Sequence, residues 1–197
     1  MSDAETTRLY AAKAQEYADL TEKSAQADPI LAAFIADLPQ NAHVLDLGCG
    51  PGQMSLTMAE AGHRVTALDA VAEMVALIPD HANITPLHGD FDTTHVPHAY
   101  DGIWANFSLL HATRDALPRH LSSLHSALRP KGLFHIGMKL GTDTKRDAIG
   151  RRYTYVTQDE LTHLLTNADF TVTAHHLGRD KGLDGTYADW IVLRAYG

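Results

Sequence analysis

Apolar residues recur along this chain at two different spacings, and the change from one to the other predicts the order of strands and helices. Short runs dominated by apolar residues, as in strands buried within a sheet, occur at 43–47, 64–68, 84–87, 101–106 and 133–138. Between these runs, apolar residues return every three or four positions, which is typical of helices with one buried face. Because strands and helices alternate, the sequence predicts an α/β fold with a mostly parallel sheet.

The two ends of the chain add helices and a final pair of strands. Residues 1–22 contain few helix breakers and predict a helix, and Asp28-Pro29 predicts the start of a second helix with Asp28 as its N-cap. Thr157-Gln158-Asp159-Glu160 has the pattern of a capping box at the start of another helix. Segments 170–176 and 189–194 predict the last two strands, paired as a hairpin.

Length and composition place limits on the class of protein. The 197 residues predict a single α/β domain, 1–197, and a hydrophobic content of 45% is ordinary for a globular chain. The lone cysteine, Cys49, excludes an internal disulfide framework. Since the sequence shows no signal-peptide core and no membrane-length apolar run, we expect a cytoplasmic protein without a membrane partner. A net charge of −8 without a long basic stripe argues against a nucleic-acid partner.

Residues 43–69 carry the clearest functional pattern. A buried strand is followed by the turn Gly48-Cys49-Gly50-Pro51-Gly52, by a helix over 53–61 and by a second strand that ends at Asp69. Glycines let backbone N–H groups approach a ligand closely, and a carboxylate at the tip of the next strand can bind both hydroxyls of a ribose. The pattern therefore predicts a nucleoside cofactor.

The spacing of the glycines argues against a dinucleotide. The fingerprint G-x-G-x-x-G has its third glycine five positions after the first, whereas Gly52 follows Gly48 by four and Gln53 occupies the expected position. With Asp46 before the turn and Asp69 after it, the stretch resembles motif I of class I S-adenosylmethionine (SAM) methyltransferases. The resemblance implies a doubly wound, Rossmann-like sheet of seven mostly parallel strands, with an antiparallel last strand and helices on both faces.

The same resemblance implies which residues bind SAM and its demethylated product, S-adenosylhomocysteine (SAH). The glycine turn would lie against the methionine and ribose, Asp69 would hold the ribose, and Asp90-Phe91 would hold the adenine. Asn106 would lie near the sulfonium, and residues 1–40 would form a helical cap over the cofactor. The implied cofactor-binding residues are Tyr17, Gly48, Cys49, Gly50, Gly52, Asp69, Ala70, Met74, Asp90, Phe91 and Asn106.

For three side chains near this cofactor site, a purely structural role is the alternative to a functional one. Tyr10 and Tyr17 are seven residues apart and share one face of the predicted first helix. They would either shield the cofactor as a lid or pack the helix onto the core, and the sequence leaves both open. Cys49 is interpreted as a small residue that fits a tight turn, because a reactive thiol needs a basic neighbourhood.

Residues 139–157, here named the basic segment, follow the fifth predicted strand. Five of the sixteen Lys and Arg residues fall within 139–152, although the chain as a whole is acidic. Such a cluster is either a solvated connection or a loop that binds a carboxylate or phosphate of the methyl acceptor, and both alternatives stay open. On the second interpretation, the acceptor-binding residues are His111, Lys139, Arg146, Arg151, Arg152 and Tyr153.

Histidines are the remaining candidates for chemistry. In a methyl transfer by in-line displacement the protein mainly aligns the acceptor and excludes water, so a general base is needed only when the acceptor arrives protonated. His111 is the catalytic candidate because imidazole titrates near neutral pH; the alternative is a histidine at a helix start that moves no proton. The pairs His95/His98 and His175/His176 lack the spacing of a metal-binding motif, so no metal site is predicted.

These patterns predict a SAM-dependent methyltransferase that moves a methyl group to a small acceptor, and the basic segment favours an anionic one. Two other functions stay open. A nucleotide-dependent oxidoreductase on a Rossmann fold would need the pyrophosphate site that the glycine spacing does not provide. A non-catalytic SAM-binding regulatory protein would lack an acceptor pocket beside His111 and the basic segment.

Overall fold

The computed structural model describes residues 3–21, 28–93 and 96–197. The strands are β1 (His43–Leu47), β2 (Arg64–Asp69), β3 (Ile84–His88), β4 (Tyr100–Asn106), β5 (Leu128–Lys139), β6 (Thr144–Arg146), β7 (Arg152–Thr154), β8 (Thr171–Lys181) and β9 (Tyr187–Tyr196). The helices are α1 (Ala4–Ala12), α2 (Ala14–Thr21), α3 (Pro29–Asp37), α4 (Gln53–Glu60), α5 (Ala72–Val75), α6 (Leu117–Ala127) and α7 (Gln158–Asn167), with short 3-10 helices at Leu109–His111 and Arg114–Ala116. None of the described helices is long and apolar enough to cross a membrane.

Seven strands form one sheet in the order β3-β2-β1-β4-β5-β9-β8. Strands β1 to β5 pair in parallel, while β9 runs antiparallel to both of its neighbours, β5 and β8. This arrangement confirms the predicted fold class. The strand order reverses between β1 and β4, and in open α/β sheets the crevice at such a point binds ligands. The glycine turn after β1 and residues 107–111 after β4 both emerge there.

The two faces of the sheet bury separate apolar clusters. On one face, Phe34 of α3 packs edge to face against Trp104 of β4, and both side chains are fully buried. On the other face, α6 and α7 cover β4 and β5, where Phe134 stacks on Phe170. Because β1, β4 and β5 are covered on both faces, their tips form a rigid base for the site.

Two predicted helix starts are confirmed by their caps. Asp28 Oδ1 accepts hydrogen bonds from the backbone N–H groups of Ile30 and Leu31, at 2.8 and 3.2 Å, so Asp28 is the N-cap of α3. At α7, the Thr157 hydroxyl accepts from the backbone N–H of Glu160 at 3.1 Å. Each cap fixes where the chain enters a helix that covers the sheet.

The predicted helix over residues 1–22 is wrong as a single element, because the chain bends at Lys13 between α1 and α2. The Lys13 N–H donates to the carbonyls of Leu9 and Tyr10 and closes α1, and its backbone leaves helical geometry (φ −117°). The bend brings Tyr10 and Tyr17 together edge to face, with ring centroids 5.7 Å apart.

Other predicted boundaries move for reasons of strand pairing. Strand β5 begins at Leu128 rather than 133, because Leu128 already pairs with Tyr100 before an irregularity in the register. Strands β8 and β9 continue beyond the predicted segments, since their pairing extends to Lys181 and Tyr187. The basic segment is not a plain loop, because β6 and β7 pair as a short antiparallel hairpin within it.

Candidate active site

The first cavity, of about 110 Å³, lies at the carboxyl ends of β1, β2 and β4. It is lined by eight of the residues that the sequence assigns to the cofactor, and helix α1 contributes further side chains to its wall. These eight residues are Tyr17, Gly48, Gly50, Asp69, Ala70, Met74, Phe91 and Asn106. The structure therefore gathers most of the predicted cofactor residues around one space.

The glycine turn requires glycine at its first position for two independent reasons. Gly48 has φ +71°, in the left-handed region that other residues rarely adopt. A Cβ atom on Gly48 would also lie 2.4 Å from Cβ of Ser108, which belongs to the loop that follows β4. The absence of a side chain thus lets the turn lie directly against the neighbouring loop and keeps the first cavity open.

Asp69 joins the turn to the tip of β2. Its Oδ2 accepts from the backbone N–H of Gly50 and its Oδ1 from the backbone N–H of Val71, both at 2.8 Å. Burial raises the pKa of Asp69, and these backbone hydrogen bonds oppose that effect. Because each carboxylate oxygen can accept more than one hydrogen bond, both oxygens keep capacity for the two hydroxyls of a ribose.

Asn106 is oriented by a buried histidine behind it. Nε2 of His135 lies 3.0 Å from Oδ1 of Asn106, and since Oδ1 can only accept, His135 donates. The His135 ring stacks on Trp104 with centroids 3.5 Å apart, and burial holds its pKa well below the usual range, so the ring is neutral. With its oxygen occupied, Asn106 has its amide nitrogen to offer to a ligand in the first cavity.

Three predicted cofactor residues lie outside the lining of the first cavity. Cys49 lines a smaller neighbouring space of about 90 Å³ with Asp46, and burial raises the pKa of its thiol well above the usual value. Gly52 is the N-cap of α4 with φ +83°, and a Cβ there would lie 3.0 Å from Ile78. Asp90 accepts a hydrogen bond from the backbone N–H of Asp92. Direct contact of these three with a cofactor stays a prediction.

The second cavity is larger, about 620 Å³, and adjoins the first through shared walls. Tyr10, Tyr17 and Phe107 line both. From the basic segment, Lys139, Arg151 and Tyr153 line the second cavity. Further lining residues come from the β8–β9 hairpin: Asp180, Lys181, Gly182, Leu183, Gly185, Ala188 and Trp190.

Two of the predicted acceptor-binding arginines instead hold α1 in place. Arg146 is exposed and forms ion pairs with Asp3 and Glu5, at 2.9 and 3.0 Å. Nη2 of Arg152 donates to the His111 carbonyl at 3.3 Å, and the Arg152 backbone N–H donates to the Thr6 hydroxyl at 2.9 Å. An acceptor-binding role for these two arginines stays a prediction.

His111 lines the first cavity and is held on both sides of its ring. Its Nδ1 lies 2.8 Å from the Arg152 carbonyl, which can only accept, so Nδ1 carries the proton. Nε2 then accepts from the Tyr10 hydroxyl at 3.2 Å, and Nη1 of Arg151 donates to the same hydroxyl at 3.0 Å. Burial lowers the pKa of His111 to about 4, so the ring is neutral at physiological pH.

This low pKa predicts a specific loss of stability in acid. The folded pKa of about 4 lies below the ordinary value of 6.5, so between these values the unfolded chain binds more protons and stability falls as pH falls. His111→Gln should remove about 2 kcal/mol of the decline in unfolding free energy between about pH 7 and about pH 5. Urea denaturation at both pH values measures this. An equally steep decline in the variant would assign it to the other buried histidines.

The sequence indicated a helical cap from residues 1–40 but not the contribution of the β8–β9 hairpin to the second cavity. Trp190 and Asp180 are far from the glycine turn in sequence, and only their pairing in the hairpin brings them to the site. The positive φ of Phe107 (54°), a strained conformation that clusters at binding sites, was also not predictable from the residue type.

Metal binding has no support in the part of the chain that the structure describes. Within 3–21, 28–93 and 96–197, no three His, Cys, Asp or Glu side chains are grouped to hold an ion. His98 contacts the Leu128 carbonyl at 2.9 Å. His95 lies outside the described residues.

Comparison with known proteins gives matches over part of the chain. A family model described as "Methyltransferase domain" matches residues 44–132. The malonyl-[acyl-carrier protein] O-methyltransferase of Pectobacterium atrosepticum is 38% identical over 92 residues, covering 46% of this chain and 36% of that protein. The corresponding protein of Salmonella typhimurium is 35% identical over 129 residues, covering 62% and 47%. The chain thus spans less than half the length of these two relatives.

Similarity to solved structures extends over nearly the whole chain, as one example shows. It is the 1,6-didemethyltoxoflavin-N1-methyltransferase of Burkholderia thailandensis with bound 1,6-didemethyltoxoflavin and S-adenosylhomocysteine. The TM-score is 0.76 at 27% identity, with 98% of this chain and 87% of that chain covered. The similarity therefore includes the N-terminal helices and the final hairpin, which the family model leaves out.

Proposed function

We propose that this chain transfers a methyl group from SAM to a small, anionic acceptor, because it belongs to the class I SAM-dependent methyltransferase family. SAM occupies the first cavity and the acceptor the second. The observation that carries this proposal is the pair of cavities with common walls at Tyr10, Tyr17 and Phe107. A regulatory protein that only binds SAM has no need for a second cavity of about 620 Å³ beside it.

The side chains around the first cavity fit an adenosine without a pyrophosphate. Asp69 has oxygens suited to the ribose hydroxyls, Phe91 offers an aromatic surface for adenine, and the glycine turn leaves room for the amino-acid part. When bound, SAM supplies a methyl group already activated by its sulfonium. The remaining task of the chain is positional, and alignment of two reactants can supply up to about 7–11 kcal/mol of a barrier.

In this proposal Tyr10 and Tyr17 shield the junction between the cavities from water. His111 holds the Tyr10 hydroxyl through Nε2, while Arg151 holds it from the other side. An anionic acceptor needs no general base, which fits a neutral His111 whose Nε2 already accepts a hydrogen bond. The Burkholderia protein binds 1,6-didemethyltoxoflavin, a small molecule, and its similarity supports a small acceptor.

Calorimetry with SAH, SAM and NAD tests the cofactor assignment. We expect SAH and SAM to bind with one-site isotherms and NAD to give no heat of binding, because the turn lacks the third glycine of a pyrophosphate site. Tight binding of NAD with none of SAM would support an oxidoreductase instead. Production of SAH from SAM with a panel of small carboxylates, phenols and nitrogen heterocycles then separates an enzyme from a regulatory SAM-binding protein.

A further inference from the structure

Lys139 and Trp190 form a cross-strand pair in the wall of the second cavity. They stand directly opposite each other on the antiparallel strands β5 and β9, so their side chains lie on the same face of the sheet. Both line the second cavity, in which Lys139 is half-buried. This pair places a flat aromatic surface next to a positive charge.

Trp190 is held in place by three neighbours. On β8, the residue paired with Trp190 is Gly178, and a Cβ there would lie 2.1 Å from Cζ2 of the indole. The indole Nε1 donates to Oδ2 of Asp180 at 2.7 Å. Phe107 meets the ring edge to face, with centroids 6.1 Å apart. The indole is therefore a fixed surface, and its position depends on glycine at 178.

Lys139 forms no ion pair with any of the described residues, and the nearby Asp184 acts on it only at longer range. Among the described residues, no carboxylate oxygen lies within 4.0 Å of its Nζ, which sits 4.1 Å from the centroid of the Tyr153 ring. Arg151, by contrast, forms an ion pair with Asp147 at 2.7 Å. Burial lowers the pKa of Lys139 and Arg151 adds to this effect, while the negative charges of Asp184 and Asp147 oppose it without outweighing it. An anion bound at Lys139 would offset the cost of its partial desolvation.

We propose that the methyl acceptor is a planar aromatic or heteroaromatic anion that packs its ring on Trp190 and binds Lys139 through a negatively charged oxygen. This inference rests on the proposed function and names its acceptor class. The other aromatic walls, Tyr10 and Phe107, suit the same flat shape. A carboxylate, a phenolate and the oxygen of a deprotonated lactam share the chemistry that Lys139 recognises.

Such an acceptor explains how transfer proceeds without a proton acceptor in the protein. A conjugated anion reaches the cavity already deprotonated, with its negative charge shared between the oxygen and the nucleophilic ring atom or oxygen. Its lone pair forms the new bond to the methyl carbon while the pair of the carbon–sulfur bond stays on sulfur. The negative charge of the acceptor and the positive charge of the sulfonium neutralise each other, so the methylated acceptor loses its negative charge and the sulfur of SAH is uncharged.

The test uses three probes of similar size on protein saturated with SAH: 2-naphthoate, 2-naphthamide and decalin-2-carboxylate. Calorimetry should show 2-naphthoate binding at least roughly tenfold more tightly than either the neutral or the saturated analogue. Equal affinities for all three, or no binding of 2-naphthoate, would overturn the inference. Failure of SAH itself to bind would instead overturn the proposed function, so the two failures are distinguishable.

Two variants test whether Lys139 and Trp190 account for the tighter binding of 2-naphthoate. Lys139→Met should weaken 2-naphthoate roughly tenfold and leave 2-naphthamide unchanged, because only the charge is removed. Lys145→Met is the matched control, since Lys145 is exposed in the same segment and lies outside the second cavity. Gly178→Ala should weaken both planar probes by displacing the indole, with SAH affinity retained. Unchanged probe affinities in Lys139→Met and Gly178→Ala would show that the acceptor binds elsewhere.

Discussion

Replacing Asp69 by asparagine is expected to weaken SAH binding about 100-fold, equivalent to about 2.7 kcal/mol, while the fold is retained. An amide has one acceptor oxygen where the carboxylate has two, so it cannot accept from both Gly50 and Val71 and also from two ribose hydroxyls. The NH2 group would also face a backbone donor. Burial disfavours the charged form of Asp69, which favours the neutral amide, but the backbone donor left without an acceptor should cost about 1–3 kcal/mol of stability.

Asp101→Asn is the matched control for this experiment. Asp101 is also a partly buried aspartate of a central strand, but it lies at the amino end of β4, where it accepts from the His43 N–H at 2.8 Å and pairs with Arg129. Its loss should leave SAH affinity unchanged. Calorimetry measures the SAH affinity of both variants, and a thermal melt of each shows whether the fold is retained. Wild-type affinity in Asp69→Asn would mean that the ribose lies elsewhere.

The grouping of most predicted cofactor residues around the first cavity could be predicted because these residues are close together in sequence. The glycine turn and Asp69 belong to one strand–turn–helix–strand unit, and the short connections of such a unit fix where its parts meet. Local geometry then follows from residue type, since the left-handed φ of Gly48 and Gly50 excludes most other residues. Asp69 accordingly accepts a hydrogen bond from the turn, a contact that adds to the ribose-binding role expected of it.

The second cavity, where we propose that the acceptor binds, could not be predicted in the same way, because distant segments build it. The sequence indicated that charges cluster in 139–152, but whether an arginine faces a ligand or an acid depends on the partner that tertiary packing supplies. Arg146 is paired with Asp3 and Arg151 with Asp147, whereas Lys139 has the wall of the second cavity beside it. The position of Trp190 depends on the register of the final hairpin, and no local pattern encodes that register.

The bend at Lys13 and the hairpin within the basic segment show a similar limit. Helix propensity favours continuation through residues 1–22, since Lys is a good helix former, and only tertiary contacts of α1 and α2 favour a break. Strand β6 consists of Thr144, Lys145 and Arg146, all exposed. Because these three residues are polar and do not alternate with apolar ones, the hydrophobic pattern does not predict that β6 pairs with β7.

Arg151→Ala is expected to lower the free energy of unfolding by about 3 kcal/mol, because it leaves a buried carboxylate without its partner. Arg151 and Asp147 are both almost fully buried, with side chains 4% exposed, and their atoms lie 2.7 Å apart. The variant also removes the donor to the Tyr10 hydroxyl at 3.0 Å, which should loosen α1 over the first cavity. Urea denaturation gives the stability, and faster amide exchange in α1 reports the loosening.

A double-mutant cycle separates this structural role from acceptor binding. If the ion pair dominates, Asp147→Ala with Arg151→Ala should cost clearly less than the sum of the single changes, because no buried charge then lacks a partner. Arg152→Ala is the milder comparison, since Arg152 is only half-buried and pairs with Asp3 at 3.8 Å. Wild-type stability of Arg151→Ala combined with lost affinity for 2-naphthoate would contradict this account. The charge of Arg151 would then serve the acceptor, and Asp147 would be satisfied without it.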